Sequence, residues 1–329
     1  MKKIALEEHF TTPLFFKYNQ GTNPFQDQLL DLGNRRLEAM DKAGIELAVL
    51  SITTPGVQAE PDTLTAVKRA HEANDLLAGV IQKYPKRFAG FAHLSLQDPK
   101  VAADELTRCV VDLGFKGALI NGHTNGRYLD EEIYYPFWER VQDLGVPIYL
   151  HPRDPYDLPQ EYHGHPELLG ATWSWTAETA AHALRLVFGG TFERFPKVTI
   201  ILGHMGETLP YLLWRLDSRR RIQLPPDKKD ARLPSETIKS NIVITTAGVC
   251  SHASLVCALS ALGENSVMFS VDYPYEDCTI AAEFIESAPI SAATRAKVCY
   301  GNAERILQLA PDVESTSVQS VQKLVETAR

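Results

Sequence analysis

Residues 145–153, GVPIYLHPR, hold the unit on which the fold turns. A glycine opens the stretch, the run Val146 to Leu150 is apolar without polar alternation, and His151 follows at once. A short continuous apolar run of this kind predicts a strand buried on both faces, as in a parallel sheet covered by helices. Ahead of it, Asp130 to Leu144 has helical spacing. The same alternation extends outward in both directions. Further strands are predicted at Lys3 to Leu6, Leu47 to Ile52, Phe88 to Ala92, Gly117 to Ile120, Val198 to Leu202, Ile242 to Thr245 and Val267 to Val271. Between or after them lie helical patterns at Arg35 to Ala43, Asp62 to Tyr84, Lys100 to Leu113, Thr176 to Phe188, Thr208 to Arg221, His252 to Leu262, Asp277 to Ser287 and Ala292 to Leu309. Eight βα units in 329 residues predict an α/β protein of the closed (β/α)8 TIM-barrel type. An open doubly wound sheet is the alternative. No GxGxxG follows the first strand and no GxxxxGK[ST] occurs, so its two commonest nucleotide-binding purposes are missing.

The composition suits a large buried core. With 44% hydrophobic and 22% charged residues the chain falls in the ordinary globular range, which excludes disorder, collagen and a disulfide scaffold. A net charge of −8 argues against nucleic acid, and the basic run Arg219–Arg221 lies between Asp217 and Asp227 and reads as a solvated face. No stretch approaches the roughly 18 to 20 apolar residues of a membrane span. The opening MKKIALEEHF turns acidic before a signal core forms, so a cytoplasmic setting is expected. Five cysteines without CxxC spacing are expected to be reduced thiols. Residues 1–309 are expected to form one barrel domain. Insertions stand at 154–174, where a lid-like loop is plausible, and at 224–234, where a solvated connection is the default. Residues 310–329 carry Val318, Val321, Leu324 and Val325 at helical spacing, which predicts a final helix docked on the barrel or on another subunit.

Barrel enzymes draw their reactive groups from the C-terminal ends of the strands. Those positions here read Glu7-Glu8-His9, Ser51 and Thr53, His93, Asn121, His151, His204, Thr245 and Thr246, and Asp272. Four of the ten histidines at such places, with carboxylates on the first and eighth strands, is more than chance supplies. Glu7 and His9 are two apart on an extended segment, so both can face the mouth while Glu8 points away. With His151 and Asp272 they can complete a Glu/His/His/Asp set suited to Zn²⁺ or Mn²⁺. In LGHMGE, Glu207 is spaced to hold the imidazole of His204, or else to act as a helix-start acid. Arg153 and Arg215 are candidates for an anionic substrate, with surface ion pairs as the plain alternative. Asn121 is a candidate substrate contact and His93 a supporting one. Glu178 and His182, four apart on a helix, are expected to make a local contact.

The motifs ALEEHF, SxxxPGVQ, YLHPR, ILGHMGE, SVDYPYE and GNAERIL, in this order from about residue 1 to 309, resemble those of the amidohydrolase-related aromatic acid decarboxylases. The resemblance implies a metal-dependent barrel that removes CO₂ without oxidation from an ortho-hydroxybenzoate, of the gamma-resorcylate (2,6-dihydroxybenzoate) or 2,3-dihydroxybenzoate type. It also implies one divalent ion per subunit, zinc or manganese, no organic cofactor, and a homotetramer or dimer. Residue by residue it makes Glu7, His9, His151 and Asp272 the metal ligands, and Asp272, His204 and Glu207 the catalytic groups. Arg215, Asn121, Tyr275 and His93 are assigned to the substrate. His9 stands where salicylate and 2,3-dihydroxybenzoate decarboxylases commonly have Ala, so the sequence leans to the gamma-resorcylate type. Tyr273 and Tyr275 stand where that type tends to have Trp and Phe. Asp272 would protonate the ring carbon before CO₂ leaves. The same ligands could instead ionise a water for lactone or amide hydrolysis, but Glu7-x-His9 replaces the His-x-His of hydrolytic relatives. A non-catalytic barrel would leave the gathering of ionisable groups unexplained.

Overall fold

The computed structural model describes residues 1–18, 23–228 and 231–309. All eight predicted strands form: β1 (Lys3–Phe10), β2 (Ile45–Ile52), β3 (Phe88–Gly90), β4 (Ala118–Asn121), β5 (Ile148–His151), β6 (Ile200–Leu202), β7 (Ile242–Thr245) and β8 (Val267–Met268). Each pairs in parallel with its sequence neighbour within β1–β3 and within β4–β8. Ala92 joins the two sets by pairing with Ala118. Glu8 pairs with Tyr273, and the bonds His9 N to Tyr273 O at 2.7 Å and Asp272 N to Glu7 O at 3.0 Å close the ring. The closed barrel is therefore correct and the open sheet is not.

Successive strand residues face opposite sides. Ile4, Leu6, Val49, Phe91, Leu119 and Tyr149 fill the barrel interior, while Ala5, Leu50, Ile120, Leu150 and Ile200 pack outward beneath the helices. The surrounding helices include Asn34–Ala43, Thr63–Lys83, Pro99–Val111, Tyr135–Leu144, Ser174–Phe188, Leu209–Gln223, His252–Leu262 and Cys278–Ser287. Asp62, Asp98, Ser251 and Asp277 cap four of them by accepting backbone N–H groups of the first turn.

The helix predicted over Ala292–Leu309 forms from Ala292 to Ile306 as one continuous run, with a π-helical segment at Lys297–Gly301 between Ala292–Ala296 and Asn302–Ile306. Tertiary contacts accompany the π segment. The Val298 carbonyl accepts from Phe269 N at 2.8 Å, Asn302 donates to the carbonyls of Glu264 and Val267, and Ala303 and Leu307 enter the inner core. The 154–174 insertion is a loop with short 3₁₀ turns, pinned where Asp154 Oδ1 accepts from Gly170 N at 3.0 Å and Ser174 Oγ at 2.5 Å. The 224–234 connection contains a 3₁₀ turn, Pro226–Lys228. The helix expected over 310–329 lies outside the described residues. Among the described residues no helix is long and apolar enough to cross a membrane, and the five cysteines are free thiols.

Candidate active site

Glu7 and His9 face the barrel mouth because β1 does not run in simple register with β2. The pairing shifts between Ala5 and Glu8, where the Ser270 hydroxyl accepts from both Leu6 N (3.1 Å) and Glu7 N (2.6 Å). Leu6 thus fills the core while Glu7, the next residue, reaches the mouth. Glu8 turns away as expected, accepting from Val271 N and Ser270 Oγ, and burial raises its carboxyl to about 7. Arg36 holds the far side of β1 by donating to the His9 carbonyl.

The four predicted ligands converge. One donor atom from each of Glu7, His9, His151 and Asp272 lies within 4.8 Å of every other. Glu7 Oε1 is 3.1 Å from His151 Nε2 and 3.8 Å from His9 Nε2, and Asp272 Oδ1 is 3.2 Å from His9 Nε2. The His151 Nδ1–H is spent on the Pro152 carbonyl at 3.0 Å, which leaves Nε2 to offer a lone pair inward. Glu7 Oε1 and both ring nitrogens of His9 are buried without a hydrogen bond. Orphaned donor atoms of the N/O type, aimed at one point, fit a divalent transition ion.

The field at that point favours positive charge. Burial works to lower the His9 ring, but Asp272 and Glu7 beside it outweigh this and lift it to about 9. Burial works to raise Glu7, but the His204, His151 and His9 rings hold it well below the usual carboxylate range. A cation bound among these groups takes the place of a proton.

His204 stands beside the cluster, its Nε2 at 3.5 Å from Glu7 Oε1 and 3.6 Å from Asp272 Oδ2. Its Nδ1 meets Glu207 Oε1 at 2.6 Å, so the predicted pair forms, although not at a right-handed helix start. His204, Met205, Gly206, Glu207 and Thr208 all have positive φ (47°, 56°, 76°, 51° and 66°), a left-handed turn, and the right-handed helix begins only at Leu209. L-residues resist this conformation by about 1–2 kcal/mol each. The partly buried His204–Glu207 bond, the Gly206 N to Gly203 O bond at 2.7 Å and the burial of Met205 offset it. Burial works against a charged His204, but Glu207, Glu7 and Asp272 hold it protonated well above its usual range.

Of the substrate candidates, Tyr275 lies at the site: its ring is 5.9 Å from that of His9 and its hydroxyl 2.6 Å from Thr53 Oγ1. Asn121 pairs across strands with His151 and keeps a buried, unpartnered Oδ1. Two candidates stand apart from the cluster. His93 lies beyond the end of β3, with Nε2 accepting from Ile52 N at 2.7 Å and Nδ1 bonded to Asn74 at 3.0 Å, so neither nitrogen is left for a substrate. Burial keeps its ring neutral, at about 3. Arg215 is exposed, because Leu209, Pro210 and Leu213 face inward and turn it to the outer side of its helix. Arg153 donates to the Gln58 and His123 carbonyls. Glu178 and His182 do not bond each other; Glu178 accepts from Tyr128 and His182 from Leu129 N.

Sequence reasoning passed over Tyr149, Gly203, Gly248 and Trp175. Tyr149 had a signal, being two residues before His151 on the same strand face. The glycines had none, since their role is close approach: a Cβ at Gly248 would lie 2.9 Å from His204 Cδ2 and 3.4 Å from Asp272 Oδ2. Trp175 brings its ring to 6.3 Å from His151 only because the loop before it folds back.

The amidohydrolase family pattern matches residues 30–309. The chain belongs to the amidohydrolase family. Within that family it is 44% identical over 323 residues to the gamma-resorcylate decarboxylase of Polaromonas sp., spanning 93% of this chain and 98% of the relative. A solved 2,6-dihydroxybenzoate decarboxylase complexed with 2,6-dihydroxybenzoate is 43% identical, with a TM-score of 0.88 over 94% of this chain and 99% of that one. A dihydroxybenzoic acid decarboxylase from Polaromonas sp., with bound manganese and the inhibitor 2-nitroresorcinol, is 44% identical, with a TM-score of 0.88 over 94% and 97%.

Proposed function

We propose that this chain is a metal-dependent carboxy-lyase that releases CO₂ from an ortho-hydroxybenzoate, of the 2,6-dihydroxybenzoate or 2,3-dihydroxybenzoate type, and leaves the phenol. The Glu7/His9/His151/Asp272 cluster beside the His204–Glu207 pair carries this reading. The similarity to gamma-resorcylate decarboxylase over 93% of the chain supports it. Glu7, His9, His151 and Asp272 would hold manganese or zinc, and no organic cofactor is invoked. The bound ion supplies a Lewis acid that favours ionisation of the ortho hydroxyl and a template for the substrate's oxygens.

Direct loss of CO₂ would leave an electron pair in the ring plane, outside the π system, so the ring carbon bearing the carboxylate is protonated first. Asp272 would make that transfer; 16% of its side chain is exposed, more than that of Glu7, His9 or His151, which supports the role. The proton passes from Asp272 to the ring carbon and the ring loses aromaticity. The bond to the carboxylate carbon then breaks, its electron pair restores the ring, and CO₂ departs. Asp272 regains a proton from solvent. Glu207 fixes His204 so that Nε2 stays directed at Asp272 and the substrate's second polar substituent. Tyr275 and Asn121 line the mouth as substrate contacts.

A homo-oligomeric, cytoplasmic enzyme is part of the same reading. The helix Leu209–Gln223 exposes Tyr211, Trp214 and Ile222 at 82%, 77% and 73%, an apolar face that a second copy would cover. Light scattering of the purified chain reports the assembly. The deciding experiment incubates manganese-replete protein with 2,6-dihydroxybenzoate, 2,3-dihydroxybenzoate, salicylate and orsellinate. Release of CO₂ with loss of acid is expected for at least one of the first two. Hydrolysis of a lactone panel without CO₂ release overturns the assignment.

A further inference from the structure

Tyr149 shares its strand face with His151 and is fully buried, its ring 5.9 Å from that of Phe91 inside the barrel. Its hydroxyl touches Glu7 Oε2 and lies 2.8 Å from Thr245 Oγ1 at the end of β7. The direction of this chain is forced. An ionised Glu7 can only accept, so Tyr149 spends its single proton on Oε2, and the Thr245 hydroxyl must donate to the Tyr149 oxygen. Thr245 Oγ1 in turn accepts from Ala247 N at 3.4 Å. Gly203, at the end of β6, keeps the space clear: a Cβ there would collide with Glu7 Oε2 and come within 3.1 Å of the Tyr149 hydroxyl.

The two oxygens of Glu7 are therefore unequal. Oε2 is tied into the barrel core, whereas Oε1 is buried, unpartnered and 3.1 Å from His151 Nε2. We propose that Tyr149, held by Thr245, is a positioning residue that keeps Glu7 a one-oxygen ligand and thereby sets the affinity and selectivity of the metal centre. A carboxylate free to turn can offer both oxygens, the mode that larger oxygen-seeking ions such as Ca²⁺ use. Held as it is, Glu7 favours a smaller transition ion and leaves coordination positions to the substrate. The inference rests on the metal centre of the proposed function and not on the identity of the substrate.

The test is Tyr149→Phe, which keeps the ring in the core and removes only the hydroxyl. Parent and variant are stripped of metal and titrated with Mn²⁺, with Zn²⁺ and with Ca²⁺. Binding is followed by calorimetry and by the electron paramagnetic resonance of free Mn²⁺, and the melting temperature of the metal-free proteins is recorded. Loss of a group that orients a metal ligand weakens binding by about 10- to 100-fold. The expected result is a loss of Mn²⁺ affinity in that range, with Ca²⁺ affected less. Thr245→Val should shift Mn²⁺ affinity in the same direction by a smaller factor, and Thr245→Ser should restore it. Mn²⁺ affinity within twofold of the parent in both Tyr149→Phe and Thr245→Val overturns the proposal. So does a loss in Tyr149→Phe that Thr245→Val does not share. If the expected shifts occur but no hydroxybenzoate releases CO₂, only the catalytic reading falls. A parent that binds neither Mn²⁺ nor Zn²⁺ overturns both.

Discussion

Replacing Glu207 by Gln removes a charge and keeps the shape of the side chain. The amide oxygen can still accept from His204 Nδ1, now 2.6 Å from Glu207 Oε1, and the side chain remains fully buried. Hydrogen bonds to a charged partner contribute about 1.5–3 kcal/mol net, against about 0.5–1.5 kcal/mol for a neutral pair. The difference, about 1–2 kcal/mol, corresponds to roughly 5- to 30-fold in kcat/KM if the oriented His204 acts in the transition state. Glu207→Ala also leaves the buried Nδ1–H without an acceptor, at a further cost of about 1–3 kcal/mol. Initial rates of CO₂ release by manganese-replete enzyme give these ratios, with metal content per chain measured on the same samples. Because Glu207 is not among the four clustered residues proposed to hold the ion, both variants should retain the parent's metal content. Glu207→Gln with kcat/KM within twofold of the parent would refute the role given to the pair. Equal losses of metal and activity would show that Glu207 acts on the ion instead.

Asp272→Asn should abolish turnover, since an amide cannot deliver the proton; CO₂ release at more than a few per cent of the parent rate sinks the assignment. Removal of metal by a chelator followed by dialysis should stop CO₂ release, and added Mn²⁺ should restore it. Full activity in metal-free protein, verified by elemental analysis, is the contrary result. Away from the metal centre, His182 is buried with Nε2 accepting from Leu129 N, and burial holds its ring at about 3. The unfolded chain's His takes up a proton near pH 6.5 while the folded one does not, so stability should fall as pH drops from about 6.5 toward 3. The slope from this group is up to about 1.4 kcal/mol per pH unit. Urea midpoints at pH 7, 6 and 5 measure it, and an unchanged slope in His182→Gln would count against the assignment.

Much of the site was legible because a barrel turns sequence position into spatial position. Once each apolar run is read as a strand, its next residue lies at one rim, where Glu7, His9, His151 and Asp272 come together. The failures mark where that rule ends. His93 follows an apolar run as the others do, but β3 stops at Gly90, and the imidazole turns to Ile52 N and Asn74 instead of the mouth. Arg215 lies eleven residues beyond His204, yet the left-handed turn between them rotates its helix so that Leu213 faces inward and Arg215 faces out.

The linear order of apolar runs and polar punctuation was thus enough to determine the closed barrel and the four residues that cluster at its rim, because period and strand direction are local properties of the chain. Only the folded structure decided the left-handed turn that seats His204 against Glu207, the register shift that lets Leu6 and Glu7 both face the barrel axis, and the Thr245–Tyr149–Glu7 chain. Those features depend on groups that lie 142 and 96 residues apart for Tyr149 alone. Their energies come from close approach and from satisfying buried polar atoms, neither of which has a period that a sequence can display.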